Sequence, residues 1–276
     1  MAPDARRAIH VAQWECPACR VLCAYPAATP DRIRQYYGND YYGRVWTDPE
    51  AVWTRNVVAY RTELGLIDAM IPASAARGAA LDVGCGYGVL LHLLGKRGYD
   101  AVGCEIGTAG IAYCRQRGLR VVRATAPELP FPDGAFHLVV TFHVIEHVLD
   151  PPAFVRSLSR VLAPGGAAVI VTDHRWTTEL AYKRTLARLR GRVPPFFTST
   201  DHTFVFAPEH VANLLRQAGC EHIRTAAFTH VPPGESLHWR AYKGVFRTLD
   251  RWRGWGDYMM IVGCKPSPPA SAARAA

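Results

Sequence analysis

Leu81-Asp82-Val83-Gly84-Cys85-Gly86-Tyr87-Gly88-Val89 is the stretch that decides the fold. Leu81 and Val83 read as the apolar end of a buried strand, with Asp82 between them. Gly84, Gly86 and Gly88 permit backbone angles and close approaches that a Cβ would block. A helix is expected to begin near Gly88. Its free N–H groups and positive dipole end then face whatever lies over the turn. In open α/β sheets this crevice, at the carboxyl end of a strand, holds ligands. A dinucleotide fingerprint spaces its glycines G-x-G-x-x-G, to suit a pyrophosphate. Here the spacing is G-x-G-x-G, preceded by Asp82.

Working outward, Ala101-Val102-Gly103-Cys104 is a second apolar run ending on Glu105. A carboxylate at a second strand's tip can accept from both hydroxyls of a ribose. Glu128-Leu129-Pro130-Phe131-Pro132-Asp133-Gly134 leads into Ala135-Phe136-His137-Leu138-Val139-Val140, a loop and a third buried strand. Glu146-His147-Val148-Leu149-Asp150-Pro151 follows. Leu162-Ala163-Pro164-Gly165-Gly166 then runs into Ala167-Ala168-Val169-Ile170-Val171. Together these stretches resemble motifs I to III of the class I S-adenosylmethionine (SAM)-dependent methyltransferases. The likeness is to the small-molecule branch, with its ubiquinone- and menaquinone-type enzymes, and runs over residues 36–174.

The resemblance implies an α/β, Rossmann-like fold. A seven-stranded, mostly parallel sheet in the order 3-2-1-4-5-7-6 would carry helices on both faces and helical cap insertions. It implies SAM as cofactor, held by Asp82, Gly84, Cys85, Gly86, Gly88, Glu105, Ile106, Ala126 and Phe142. The chain departs from the family pattern at two places. Thr125 stands near where an acidic residue usually meets the adenine amine, leaving that contact to the backbone at Ala126. The usual Phe-Asp is Phe136-His137.

Methyl transfer needs alignment of the acceptor, and a base where a hydroxyl proton must leave. His143, His147 and His202 are the candidate catalytic residues, because histidine titrates near neutrality. His143, Glu146 and His147 are expected on one side of a helical turn. In ubiquinone-pathway enzymes a similar Glu-x-x-Glu-His stretch binds a divalent metal; here His143 replaces the first Glu, and no metal is assigned. Tyr37, Tyr41, Tyr42 and Trp46 form either a lid over the cofactor or ordinary core. Cys16-Pro17-Ala18-Cys19 is a C-x-x-C knuckle of the kind zinc favours. It resembles the lead-in of zinc-ribbon-bearing methyltransferases, but the family's first C-x-x-C is missing and only His10 and Cys23 stand nearby. A vestigial knuckle is the favoured reading.

The chain is expected to divide into an arm (1–45), a methyltransferase domain (46–264) with cap insertions at 174–206 and 229–256, and a disordered tail (265–276). Apolar residues make up 49% of the 276, enough for a sizeable core. No apolar run approaches the roughly 18 residues of a membrane span. The N-terminal residues lack a signal-peptide block. With the scattered cysteines read as buried thiols, a cytoplasmic location is expected.

The net charge of +9 is uneven: residues 174–256 hold thirteen Lys/Arg against six Asp/Glu. The acceptor is therefore expected to be a small molecule, anionic or hydrophobic. Peripheral contact with anionic lipid is open along the Arg251/Trp252/Arg253 edge and Trp255. The expected reaction is in-line methyl transfer from SAM, more at oxygen than at carbon or nitrogen. A nucleic-acid methyltransferase is the first rival, on charge alone. Thr141-Phe142-His143-Val144 is not the Asn/Asp-Pro-Pro-Tyr/Phe of amino-group base methylases, so no specific nucleic acid is expected. A SAM-binding protein without catalysis is the second rival.

Overall fold

In a computed structural model of the chain, residues 12–25, 29–72, 78–125, 128–191, 202–229 and 237–267 are described. The arm contributes a hairpin, β1 (Ala12–Glu15) and β2 (Leu22–Tyr25), then α1 (Pro30–Gln35), a π-helical turn (Tyr36–Asp40) and α2 (Tyr41–Arg44). Next comes α3 (Pro49–Met70). Asp48 caps it by accepting from Ala51 N at 3.0 Å, and Pro49 suits its first turn.

Strand and helix then alternate through β3 (Ala79–Val83), α4 (Val89–Lys96), β4 (Asp100–Glu105), α5 (Thr108–Gln116), β5 (Val121–Arg123), β6 (Phe136–Phe142), α6 (Pro151–Val161) and β7 (Leu162–Asp173). The C-terminal part holds α7 (Thr178–Leu189), β8 (Phe204–Val205), α8 (Pro208–Gln217), β9 (Glu221–Phe228), α9 (Leu237–Arg253) and β10 (Tyr258–Cys264).

The main sheet runs β5-β4-β3-β6-β7-β10-β9. Numbered along this sheet alone, that is the expected 3-2-1-4-5-7-6. β10 lies antiparallel to both β7 and β9, while the pairs from β5 to β7 are parallel. Side chains alternate between its faces. Leu81, Val139, Ile170 and Ile261 join Phe154, Leu158 and Val161 of α6 and Leu215 of α8 on one side. Ala80, Leu138, Val140, Val169, Val171 and Met260 meet Leu64 and Ile67 of α3 and Leu90 and Leu94 of α4 on the other. Each large side chain fully buried this way contributes about 1.5–3 kcal/mol. No helix among the described residues is long and apolar enough to cross a membrane.

Two features place the site. From β3 the chain builds outward through β4 and β5, then returns to lay β6 on the other side of β3, opening a crevice at the carboxyl ends of β3 and β6. The arm also closes onto the late insertion. β2 pairs with β8 in a separate three-stranded sheet, Cys23 opposite Phe204. Thr203 N and Phe204 N donate to Glu146 O at 2.8 and 3.1 Å. Arg175, just past β7, pairs with Glu15 and donates to Arg20 O. His202 is thereby fixed against the loop after β6, a pairing of segments about sixty and about one hundred and eighty residues apart in sequence.

Candidate active site

The glycine turn is held from both sides. Gly84 N and Cys85 N donate to Cys104 O at 2.9 and 3.1 Å. Gly86 N donates to Glu105 Oε2 at 2.9 Å, while Ile106 N and Gly107 N donate to Oε1 at 2.8 and 2.7 Å. Burial pushes the Glu105 carboxyl up, against these three N–H groups and the Tyr42 hydroxyl, which pull it down. Asp82 is buried, its Oδ2 has no hydrogen-bond partner among the described residues, and burial beside Glu105 pushes its carboxyl up to about 8. A cation arriving there would restore its charge.

Gly84 has φ +74° and Gly86 φ +55°. A Cβ on Gly86 would lie 2.6 Å from Trp46 Cζ3; on Gly84, 2.4 Å from Val144 Cγ2. Gly86→Ala is therefore expected to weaken SAM binding more than tenfold in calorimetry, because it strains the turn and displaces Trp46. Binding within twofold of the parent would contradict this placement of the turn. Gly88 stands apart from Gly84 and Gly86. It does not line the cavity. It sits at φ +79° as the residue before α4, where a Cβ would meet Leu119 Cδ1 at 2.6 Å and Cys114 Sγ at 2.8 Å. It serves the packing of α4 against α5 and the loop after it.

Over the turn lies a cavity of about 920 Å³. Asp82, Gly84, Cys85, Gly86, Glu105, Ile106 and Phe142 line it, as do His143, His147 and His202. Ala126 lies outside the described residues. Tyr37, Tyr41, Tyr42 and Trp46 form a continuous aromatic cover, with neighbouring ring centroids 5.4–6.1 Å apart. Tyr87 O–H donates to Trp46 O at 2.6 Å and ties the cover to the glycine turn.

At the far side of the cavity the histidines meet two carboxylates. His143 is not on a helical turn; it has φ +55°, rare for a residue with a Cβ, and the chain turns at it. Its Nδ1 lies 3.2 Å from Glu146 Oε1 and 3.8 Å from Asp173 Oδ1. Thr172 O–H donates to Glu146 Oε2 at 2.8 Å. His202 Nδ1 lies 3.2 Å from Asp173 Oδ2, and the His147 ring packs edge-on against His202 at 4.7 Å. Asp173 thus stands between two imidazoles.

Burial alone would raise the Glu146 carboxyl; the His143 hydrogen bond and the charges of His147, His143 and His202 outweigh it and hold Glu146 at about 2. Burial would lower His143, but Glu146 and Asp173 raise it above its ordinary 6.5. Glu146 therefore stabilises the fold fully above the ordinary 4.5, and this is lost as pH falls toward 2. The His143 contribution is full below 6.5 and is lost as pH rises through its folded value. Thermal melting should show a plateau between about pH 5 and 6.5 with losses on both sides. Glu146→Ala should cost about 3–5 kcal/mol at the plateau, as expected for half of a buried pair. An unchanged acid limb in Glu146→Gln would contradict the pairing.

Two groups of ligand-type atoms converge within 4.8 Å, Glu146/His147/His202 and His143/Glu146/Asp173. Neither is the His143/Glu146/His147 set that the spacing suggested. At the knuckle, Cys16 is drawn down by backbone N–H groups of Cys19 and Ala18. Among the described residues no third His, Cys, Asp or Glu joins Cys16 and Cys19 within that distance. His10 lies outside the described residues.

The cavity also holds residues the motif reading missed. Asn56, Tyr60 and Glu63 line it from α3. Their spacing of four and three is one helical face, so a polar stripe beside the apolar Leu64/Ile67 stripe was the available signal. Glu63 is buried, its Oε2 has no partner among the described residues, and burial pushes its carboxyl up to about 7. Tyr258, starting β10, packs edge-on against His143 at 5.0 Å. His174 turns away: it is buried, and its Nδ1 accepts from Trp176 N at 2.9 Å.

A strand–glycine turn–helix crevice with a carboxylate on the neighbouring strand, roofed by aromatics, defines a nucleoside-binding α/β enzyme fold. Comparison with known proteins agrees. The family model described as "Methyltransferase domain" matches residues 59–225, more than half of the chain. A ubiquinone biosynthesis O-methyltransferase of Ruegeria pomeroyi is 30% identical over 158 residues, 55% of this chain and 63% of that relative, a little under two thirds of its length. A protein of Mycobacterium tuberculosis named as an S-adenosylmethionine-dependent methyltransferase is 29% identical over 213 residues, 75% of this chain and 69% of that one. Among solved structures, a SAM-dependent methyltransferase of Thermotoga maritima superposes with a TM-score of 0.57 at 21% identity, over 81% of this chain and 98% of its own, which speaks for the fold. The chain belongs to the methyltransferase-domain family, within the class I SAM-dependent methyltransferases, and SAM is its cofactor.

Proposed function

We propose that this protein transfers the methyl group of SAM to a hydroxyl of a small molecule by in-line displacement. The observation that carries this reading is the Asp173–His202 pair, set in the same cavity as the glycine turn. A carboxylate 3.2 Å from one imidazole nitrogen favours a proton on that side by its charge and leaves the other nitrogen basic, the orienter–base arrangement of hydroxyl activation.

In the binding step, Glu105 takes the ribose hydroxyls, Asp82 the ammonium, and Gly84, Cys85, Gly86, Ile106 and Phe142 surround the nucleoside. The Glu105 oxygens already accept from three N–H groups and from Tyr42. A carboxylate offers about four acceptor positions, so displacing the Tyr42 hydroxyl opens one for a ribose hydroxyl, and the second hydroxyl shares an oxygen with one of the backbone N–H groups. The aromatic cover then opens and closes with the cofactor. SAM supplies a methyl group already activated by positive sulfur.

The chain's residues do the rest. The cover excludes water from the displacement. Asn56, Tyr60, Glu63 and Tyr258 surround the acceptor. His202 takes the hydroxyl proton as oxygen bonds to the methyl carbon and the carbon–sulfur bond breaks; the products are a methyl ether and S-adenosylhomocysteine. His143, drawn toward Glu146 and Asp173, which favour its protonated form, holds Asp173 in place beside His202. His147 packs His202 in position. The name of the Ruegeria pomeroyi relative, an O-methyltransferase, supports oxygen as the acceptor atom. Buried thiols such as Cys104 and Cys114 support a reducing, cytoplasmic setting.

Transfer of labelled methyl from SAM to a panel of phenols, catechols and aliphatic alcohols, with matched amines and tRNA alongside, tests the proposal. Label in a hydroxyl acceptor is expected. Label only in amines or tRNA, or SAM binding with no turnover on any class, would overturn it.

A further inference from the structure

α7 and α9 pack side by side in opposite directions. At one end Thr178 N and its hydroxyl donate to Asp250 Oδ1 at 2.7 and 2.6 Å, and one turn along Tyr182 meets Phe246 at 6.1 Å. Between them the two helices carry eight Lys/Arg and only two acidic residues, Glu179 and Asp250. Both acids are turned inward. Asp250 is buried on the N-terminus of α7, and Glu179 takes Lys183 at 2.7 Å and Lys243 at 2.6 Å. Arg188, Arg247 and Arg251 point outward and are exposed. The outer surface of the pair is therefore cationic without a compensating carboxylate among the described side chains.

That surface is also apolar. Val245, Leu249 and Trp252 are spaced four and three apart, so they form one stripe along α9. Val245 is 62% and Trp252 87% exposed, and Leu189 at the end of α7 is 80% exposed. Arg251 borders the stripe on one side and Arg253, over the Trp255 ring at 5.3 Å, on the other. A stripe of large apolar side chains between arginines matches a bilayer interface, where the apolar groups enter the acyl boundary and the cations meet headgroup phosphates. Nucleic acid would satisfy the charges but give the Val245–Leu249–Trp252 stripe nothing to bury.

We infer that the α7/α9 pair is a docking face for the surface of an anionic lipid bilayer. The face adjoins the cavity along the chain. Asp173 lines the cavity five residues before α7, and Tyr258 lines it five residues after α9.

Flotation of the full chain with phosphatidylcholine vesicles, and with vesicles containing one quarter phosphatidylglycerol, tests the inference. Binding at least tenfold stronger to the anionic vesicles is expected, together with quenching of tryptophan emission by brominated lipid that Trp252→Phe largely removes. Each basic side chain near a charged membrane is worth about fivefold. Arg247→Glu with Arg251→Glu should therefore lower binding by roughly 25-fold or more, with SAM affinity unchanged as proof of folding. No flotation with anionic vesicles overturns the inference. So does binding indifferent to these substitutions, tRNA binding through the same arginines without vesicle binding, or a solution dimer that hides Trp252.

Discussion

Replacing Glu105 by alanine is expected to weaken SAM binding at least a hundredfold while leaving the sheet assembled. Two effects act together. The ribose hydroxyls lose a charged acceptor, and hydrogen bonds to charged groups are worth about 1.5–3 kcal/mol each. The Gly86, Ile106 and Gly107 N–H groups also lose their common acceptor, so the turn that meets the adenosyl group loosens. Glu105→Gln should fall between. It keeps the shape, but its amide hydrogens oppose one of the backbone N–H sets, and roughly tenfold weakening follows from that mismatch. Calorimetry with S-adenosylhomocysteine separates these cases without any acceptor. Affinity within twofold in Glu105→Ala would mean that the nucleoside lies elsewhere.

The second large effect is expected at His202. His202→Ala should lower kcat by roughly 10²–10⁴, the range for losing a positioned base, with SAM affinity within twofold. Asp173→Asn should act through His202: the amide can hold the ring in the wrong tautomer, so kcat falls while the acceptor KM changes little. The acid limb of the pH–rate profile should flatten in His202→Ala, because the group that must be deprotonated is gone. His143→Ala should behave differently. It removes the positive partner from buried Glu146, so melting temperature falls as well as rate. If His202→Ala kept full turnover on a hydroxyl acceptor, positioning alone would carry the chemistry.

The sheet and the cofactor crevice were legible because their signals are local. Leu81–Val83, the glycine spacing and Glu105 lie within 25 residues of one another, and each apolar run kept the period of a buried strand. Helix ends were legible where caps stood, as at Asp150, which accepts from Ala153 N at 2.8 Å ahead of Pro151. The acceptor side was only partly legible. His202 was singled out by type, but its partner Asp173 sits at the end of a different strand, and only the fold brings them to 3.2 Å. Helical spacing misled at His143, because a residue in the left-handed region breaks the turn on which that spacing depends. Gly88 was read together with the other two glycines, and only the fold shows its crowding against Leu119 and Cys114; the motif names the position but not which side of the chain is crowded. The pairing of β2 with β8 left no trace in either segment, since four- and two-residue strands carry too little pattern to announce a partner.

The central claim is that the crevice over Gly84–Gly86 takes the adenosyl group, with its sugar on Glu105. The most direct test is titration of the folded full chain with S-adenosylhomocysteine, in parallel with Glu105→Ala. One site per chain with micromolar affinity, lost in the variant, is the result this structure predicts. A parent protein that melts cooperatively yet takes up neither SAM nor S-adenosylhomocysteine would contradict it.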